Sequence, residues 1–100
     1  MWGISNLVLG KIIGVSEATG QRLRTGTKFL ERGKKPFELA QLFARLFRSL
    51  DAMMGSDDEA SKSWLEAQNS DLGGRPIELI ASVRGLIRVA DYVDDFRGRA

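Results

Sequence analysis

The carboxylates are the side chains of this sequence best suited to catalysis or metal binding. The 100 residues include no Cys and no His, which removes thiolate and imidazole ligands, Cys nucleophiles and the usual general base near neutral pH. Acidic residues cluster at Asp57, Asp58 and Glu59, and again at Asp91, Asp94 and Asp95.

Neither acidic cluster requires a catalytic explanation. Acids stabilise helix N-termini, which accounts for the first cluster. Asp91 and Asp95 are four residues apart and would share a helix face, but Arg88 and Arg99 are placed to pair with them. We therefore expect a protein that is not an enzyme and that has no metal site and no cofactor.

A phosphate-binding loop is a further candidate, because Gly26 and Gly33-Lys34-Lys35 are rich in Gly and Lys. The P-loop places four residues between its glycines and a Ser or Thr directly after the Lys. Here six residues lie between Gly26 and Gly33, and Lys35 occupies the place of the hydroxyl. The sequence therefore does not contain a P-loop.

A helix–turn–helix is a better candidate near the start of the chain. Gly10 and Gly14 suit a tight crossing and turn, and Ile12, Ile13 and Val15 supply packing. The second helix would present residue types that reach bases or phosphates. The predicted DNA-binding set is Ser16, Glu17, Thr19, Gln21, Arg22, Arg24 and Lys28.

Two features depart from the usual DNA-binding unit. Gly20 stands where a buried apolar residue is usual, and only six residues precede Leu7, where such units normally have an earlier helix. A plain helical hairpin with a basic surface is the alternative.

Charge is distributed unevenly along the chain. Residues 1–50 hold nine Lys or Arg and three Asp or Glu, for a net charge of +6, whereas residues 51–100 hold six and ten, for −4. One interpretation is that the two halves face different partners, the first of them a polyanion. The alternative is that one helix face is basic and another acidic for solubility.

Capping residues and apolar spacing predict an all-α chain. Short helices are predicted over 7–13 and 17–24, and a long central helix from Pro36 to Met54 with an apolar stripe too wide for a lone surface helix. The stripe must be covered by other parts of the chain or by a second copy. Its members are Leu39, Ala40, Leu42, Phe43, Leu46, Phe47, Leu50, Met53 and Met54.

The second half continues with helices. A capping box, Ser56-Asp57-Asp58-Glu59, predicts a helix that ends near Asn69. Pro76 starts a short helix, and Ser82 caps a last one, in which Leu86, Val89, Val93 and Phe96 line one face with Ile87 and Ala90 beside it. No signal peptide and no apolar run that could span a bilayer is found, so we expect a cytoplasmic protein.

Residues 64–98 contain the most specific pattern in the chain. A Trp64-Leu65 pair is followed by Asn69, by a Leu72-Gly73-Gly74-x-Pro76 run and by Gly85 near the start of the last helix. This pattern resembles the toxin-binding domain of the Xre/MbcA/ParS-like antitoxins. Gly14-Val15-Ser16 and Arg22-Leu23 resemble, more loosely, the Xre-type helix–turn–helix found upstream in that family.

The resemblance implies an antitoxin of a type II toxin–antitoxin system. Its cognate toxin would most often be a RES-domain protein that consumes NAD, held inactive by direct binding. The resemblance also implies a homodimer that represses its own promoter, and three regions: 1–35 for DNA binding, 36–55 for connection and dimerisation, and 56–100 for toxin binding. The alternative is a stand-alone Xre-type DNA-binding regulator without a toxin.

Within this region, we distinguish expected contact residues from expected scaffold residues by whether they face solvent. Solvent-facing positions of the loop and last helix are the expected toxin contacts: Arg75, Glu78, Tyr92, Asp95, Phe96 and Arg97. A structural role is expected for Trp64, Leu65, Asn69, Leu72, Gly73, Gly74, Pro76 and Gly85.

Overall fold

The computed structural model describes residues 4–25 and 34–99. Within these ranges the chain forms six helices and no strand, which confirms the all-α prediction. The helices are α1 (Asn6–Ile13), α2 (Glu17–Thr25), α3 (Lys35–Met53), α4 (Asp58–Glu66), α5 (Pro76–Leu79) and α6 (Val83–Arg99). Gly26 and Gly33, the glycines of the rejected P-loop, lie outside the described residues.

Helices α1 and α2 form the predicted hairpin. The Ser5 hydroxyl accepts the Val8 N–H at the start of α1, and Gly14 ends α1 with a φ of 79°, a left-handed conformation that suits glycine. A β-carbon on Gly10 would lie 2.6 Å from the carbonyl oxygen of Val15, so only glycine fits this crossing. Gly20, which departs from the pattern in having no side chain, is buried.

Helix α3 is the centre of the core, and its predicted apolar stripe is confirmed. Leu46 and Leu50 are fully buried, and burial of one such side chain contributes about 1.5–3 kcal/mol. The stripe packs against α1, α4 and α6 of the same chain, which explains its width.

The turn between α3 and α4 differs from the predicted capping box by one residue. Asp57, not Ser56, is the N-cap of α4, and its carboxylate accepts the Ala60 N–H. Ser56 has a φ of 62°, and its hydroxyl donates to Asp51. Gly55 and Ser56 both adopt the left-handed conformation that reverses the chain, so capping falls to the next residue. Helix α4 ends at Glu66, earlier than predicted.

Helices α5 and α6 begin as predicted. Pro76 occupies the first turn of α5, and the Ser82 hydroxyl accepts the Gly85 N–H at the start of α6. Leu86, Val89, Ala90 and Val93 are buried against the rest of the core.

Phe96, predicted on the core stripe of α6, and Ile87, predicted beside it, are instead at the surface. Phe96 is 48% exposed and Ile87 is 45% exposed. The four buried side chains already fill the face that α6 turns toward α3, so these two residues flank the core. In the described part of the chain, no helix has the length and apolar character needed to cross a membrane.

Candidate protein-binding site

The segment 69–74, called here the Asn69–Gly74 loop, is held closed by its own backbone. Asn69 N–H donates to Gly74 O at 3.0 Å, and Gly73 N–H donates back to Asn69 O at 2.9 Å. The Asn69 side chain accepts the Leu72 N–H at 3.1 Å, and Gly73 has a φ of 76°. Leu72 is buried, so the loop is anchored in the core and has a defined shape.

Arg88 fastens this loop to α6. Its guanidinium donates to the carbonyl oxygens of Leu72 and Asp71, at 2.9 and 3.1 Å. The prediction that Arg88 pairs with Asp91 and Asp95 is therefore wrong. Arg88 comes close to the loop carbonyls only in the folded chain. No sequence pattern around Arg88 therefore predicts that it binds the loop.

Three aromatic side chains form a row beside the loop, called here the aromatic row: Trp64, Tyr92 and Phe96. The Trp64 and Tyr92 ring centroids are 6.3 Å apart with an interplanar angle of 24°, and those of Tyr92 and Phe96 are 5.0 Å apart at 52°. Tyr92 and Phe96 are one helical turn apart, which places them on the same face of α6. The Tyr92 hydroxyl donates to Asp71 at 2.7 Å, which ties the row to the loop.

A cleft of about 300 Å³ lies between the aromatic row and the loop. Trp64 and Tyr92 contribute aromatic surface to its wall, and Asp71 contributes a carboxylate. Gln68, Asn69 and Ser70 line the remainder together with Ala67. The cleft thus combines aromatic surface, amides, a hydroxyl and one acidic group.

Arg75 and Glu78, both predicted contact residues, pair with each other at the start of α5. Arg75 Nη1 lies 2.8 Å from a Glu78 carboxylate oxygen, and Arg75 Nε donates to the Glu66 carbonyl at 2.7 Å. Both residues are exposed. The pair therefore caps the C-terminal end of α4 and remains open to a partner.

The remaining predicted contacts lie elsewhere on α6. Asp95 is exposed, whereas Arg97 turns toward α3 and donates to the Ser49 hydroxyl at 3.3 Å. The structure thus brings Tyr92 and Phe96 together, brings Arg75 and Glu78 together, and sets Arg97 apart on the α3 side of the helix.

Two of the three acidic residues of α6, Asp91 and Asp94, are engaged by α3. An Asp91 oxygen lies 2.6 Å from Arg45 Nη2, and an Asp94 oxygen lies 3.0 Å from Arg45 Nε in an ion-pair contact. Asp94 also accepts the Ser49 hydroxyl at 2.5 Å. Asp91 is therefore paired with Arg45, not with Arg88, and Arg99, its other expected partner, has its side chain outside the described residues. Residues 4–25 and 34–99 include no group of three or more acidic side chains placed to hold a metal.

Most residues with an expected structural role are buried or closely packed in the structure. Leu65 and Leu72 are buried, Pro76 is buried at the start of α5, and the backbone of Gly85 lies against Leu79. A β-carbon on Gly74 would lie 3.4 Å from the Leu79 side chain. Trp64 differs, since it is only half-buried and forms part of the cleft wall.

The predicted DNA-binding residues lie on α2 and just before it. Ser16 caps α2, because its hydroxyl accepts the Thr19 N–H at 3.1 Å and donates to the Thr19 hydroxyl at 3.0 Å. Glu17, Gln21 and Arg22 are exposed. The Arg24 side chain and the whole of Lys28 lie outside the described residues.

One comparison bears on this geometry. Residues 49–99 match the family model described as the antitoxin Xre/MbcA/ParS C-terminal toxin-binding domain. The match contains the Asn69–Gly74 loop, the aromatic row and all six predicted contact residues, and it does not extend to α1 or α2. No curated protein matches the chain.

Proposed function

The chain belongs to the Xre/MbcA/ParS antitoxin family through its C-terminal toxin-binding domain, and we propose that it neutralises its toxin through the aromatic row and the exposed residues around it. An antitoxin role and a toxin partner follow from the family. The six predicted contacts, Arg75, Glu78, Tyr92, Asp95, Phe96 and Arg97, are proposed to lie in or beside the interface.

Exposure of Phe96 is the observation that supports this interface most directly. Phe96 is 48% exposed, and its ring packs against the ring of Tyr92. It therefore offers exposed apolar surface to a partner in a defined position. Aromatic residues are enriched among the side chains that dominate binding energy at protein interfaces.

Co-expression tests this proposal. The toxin candidate is the product of the neighbouring gene, and the antitoxin is supplied as wild type, as Phe96→Ser or as Leu7→Ser. Leu7 is a matched control, because it is also 48% exposed but lies on α1, outside the family match. We expect wild type and Leu7→Ser to restore growth and Phe96→Ser to do so poorly. Equal rescue by both variants would contradict the proposed interface.

We further propose that the toxin is of the RES-domain type and consumes NAD. This proposal follows from the family resemblance alone. Cellular NAD measured after induction of the neighbouring gene should fall, and co-expression of the antitoxin should prevent the fall. Growth arrest with constant NAD would point to a different toxin chemistry.

Binding to the operon's own promoter is proposed for the α1–α2 hairpin. The tight crossing at Gly10, the exposed side chains of Glu17, Gln21 and Arg22, and the net charge of +6 over residues 1–50 support it. In this proposal residues 1–35 bind DNA, residues 36–55 connect and dimerise, and residues 56–100 bind the toxin.

A gel shift on the upstream promoter at two salt concentrations tests DNA binding. Affinity should fall as salt rises, and Arg22→Ala should weaken binding and flatten the salt dependence. No shift at low salt would leave toxin binding as the sole role. A gel shift in a protein that does not relieve toxicity would favour the alternative, a stand-alone regulator. Light scattering would separately establish whether the chain is a dimer.

A further inference from the structure

The cleft between the aromatic row and the Asn69–Gly74 loop has the chemistry of a cation site. We infer that it binds an arginine side chain of the partner toxin, an inference that rests on the proposed function. Its wall includes the Trp64 and Tyr92 rings, and Asp71 lies on its lining. The cleft volume of about 300 Å³ is sufficient for one guanidinium group.

Asp71 supplies the negative charge that a bound guanidinium group requires. It is exposed, and one carboxylate oxygen accepts the Tyr92 hydroxyl at 2.7 Å. An ionised carboxylate has about four acceptor positions, so this hydrogen bond orients the group and leaves capacity for a second donor. The hydrogen bond also fixes the carboxylate beside the Tyr92 ring.

The aromatic surface favours a guanidinium over an ammonium group. Trp64 and Tyr92 are nearly parallel, at 24°, with centroids 6.3 Å apart. A planar, weakly hydrated guanidinium stacks on such rings and bonds to a carboxylate with two parallel donors, whereas an ammonium group is a compact, strongly hydrated charge. Gln68 and Asn69 add amide groups to the lining.

Charge around the cleft favours a basic partner. None of the seven lining residues is cationic. Arg88 lies beside the loop, where its guanidinium is hydrogen-bonded to the Leu72 and Asp71 carbonyls. Residues 51–100 have a net charge of −4, so the half of the chain that contains the family match attracts a positively charged surface.

An NMR titration of the full chain tests the inference without the toxin. The probe is N-acetyl-L-arginine methylamide, with the lysine and norleucine analogues as controls. The arginine probe should shift the Trp64 indole N–H and the amides of residues 67–71. Asp71→Asn, which keeps an oxygen for the Tyr92 hydroxyl, should weaken binding about three- to ten-fold. Glu38→Gln, a charge removal on α3 outside the cleft, should not.

Several results would overturn the inference. The inference fails if the lysine or norleucine probe shifts the same NMR signals as much as the arginine probe. It also fails if the arginine probe shifts only signals outside the cleft, or if Asp71→Asn binds the arginine probe as tightly as wild type. In the co-expression assay, Asp71→Lys should neutralise poorly, and full neutralisation by this variant would also reject the toxin arginine. If wild type neutralises but no arginine probe binds, only this inference fails. If the probe binds but wild type does not neutralise, the proposed function fails.

Discussion

The α-carbon of Gly85 faces the carbonyl oxygen of Leu79 so closely that an added β-carbon would lie 1.8 Å from that oxygen. The contact is between two backbones, so no side chain can move aside to relieve it. Helix α6 can therefore follow directly on α5 only because residue 85 is glycine.

Gly85→Ala should destabilise the protein strongly. Forcing a methyl group into a filled space typically costs about 1–3 kcal/mol, and a backbone clash lies at or above the upper end. Gly98→Ala is the matched control, because a β-carbon there meets no atom within 4 Å. Urea unfolding followed by circular dichroism should show a large loss in the free energy of unfolding for Gly85→Ala. For Gly98→Ala the change in that free energy should be near zero.

The two buried serines should respond in opposite ways to replacement by alanine. Ser49 and Ser61 are both at most 2% exposed, but the Ser49 hydroxyl pairs with Asp94, whereas no partner for the Ser61 hydroxyl is found among the described residues. Ser49→Ala should cost about 1 kcal/mol, and Ser61→Ala should be neutral or stabilise by up to about 1 kcal/mol. A loss of stability in Ser61→Ala would mean that its hydroxyl is hydrogen-bonded in solution.

Removal of Arg88 should loosen the Asn69–Gly74 loop. Two charge-assisted hydrogen bonds to the Leu72 and Asp71 carbonyls are lost in Arg88→Ala, with an expected cost of about 1–2 kcal/mol. Amide hydrogen exchange in residues 69–74 should accelerate. Arg84→Ala, an exposed arginine one turn earlier on α6, is the control and should leave the loop unchanged.

Asp94 should contribute more to stability than Asp91, although both contact Arg45. The Asp94 side chain is 38% exposed and also accepts the Ser49 hydroxyl, whereas the Asp91 side chain is 66% exposed. Asp94→Ala should cost about 1 kcal/mol and Asp91→Ala less than about 0.5 kcal/mol. Urea unfolding of the two single variants measures both losses of unfolding free energy, and equal losses would contradict this ranking.

Local features of the fold were predictable from the sequence, because they depend on neighbours along the chain. The caps at Ser16 and Ser82, the glycine at the end of α1 and the start of α5 at Pro76 all follow from short-range chemistry. The one-residue error at Asp57 has the same origin, since two adjacent residues can both cap and the turn at Gly55 decides between them.

The candidate site was harder to predict, because it depends on contacts between distant residues. Arg88 reaches a carbonyl 16 residues earlier, and Arg45 reaches an aspartate 46 residues later. Phe96 follows the apolar spacing of α6, yet it lies beyond the face that α3 covers. Spacing alone identifies an apolar residue but does not establish what, if anything, packs against it.

Because α3 packs against both α1 and α6, we expect that the recognised domain does not fold separately from the rest of the chain. The family match begins at Ser49, but α6 also contacts earlier turns of α3, for example through Arg45. A fragment cut at Ser49 would expose the apolar side of α6 to water and should aggregate or unfold. Damage at the amino-terminal hairpin is thus expected to weaken the distant carboxy-terminal half through a shared helix.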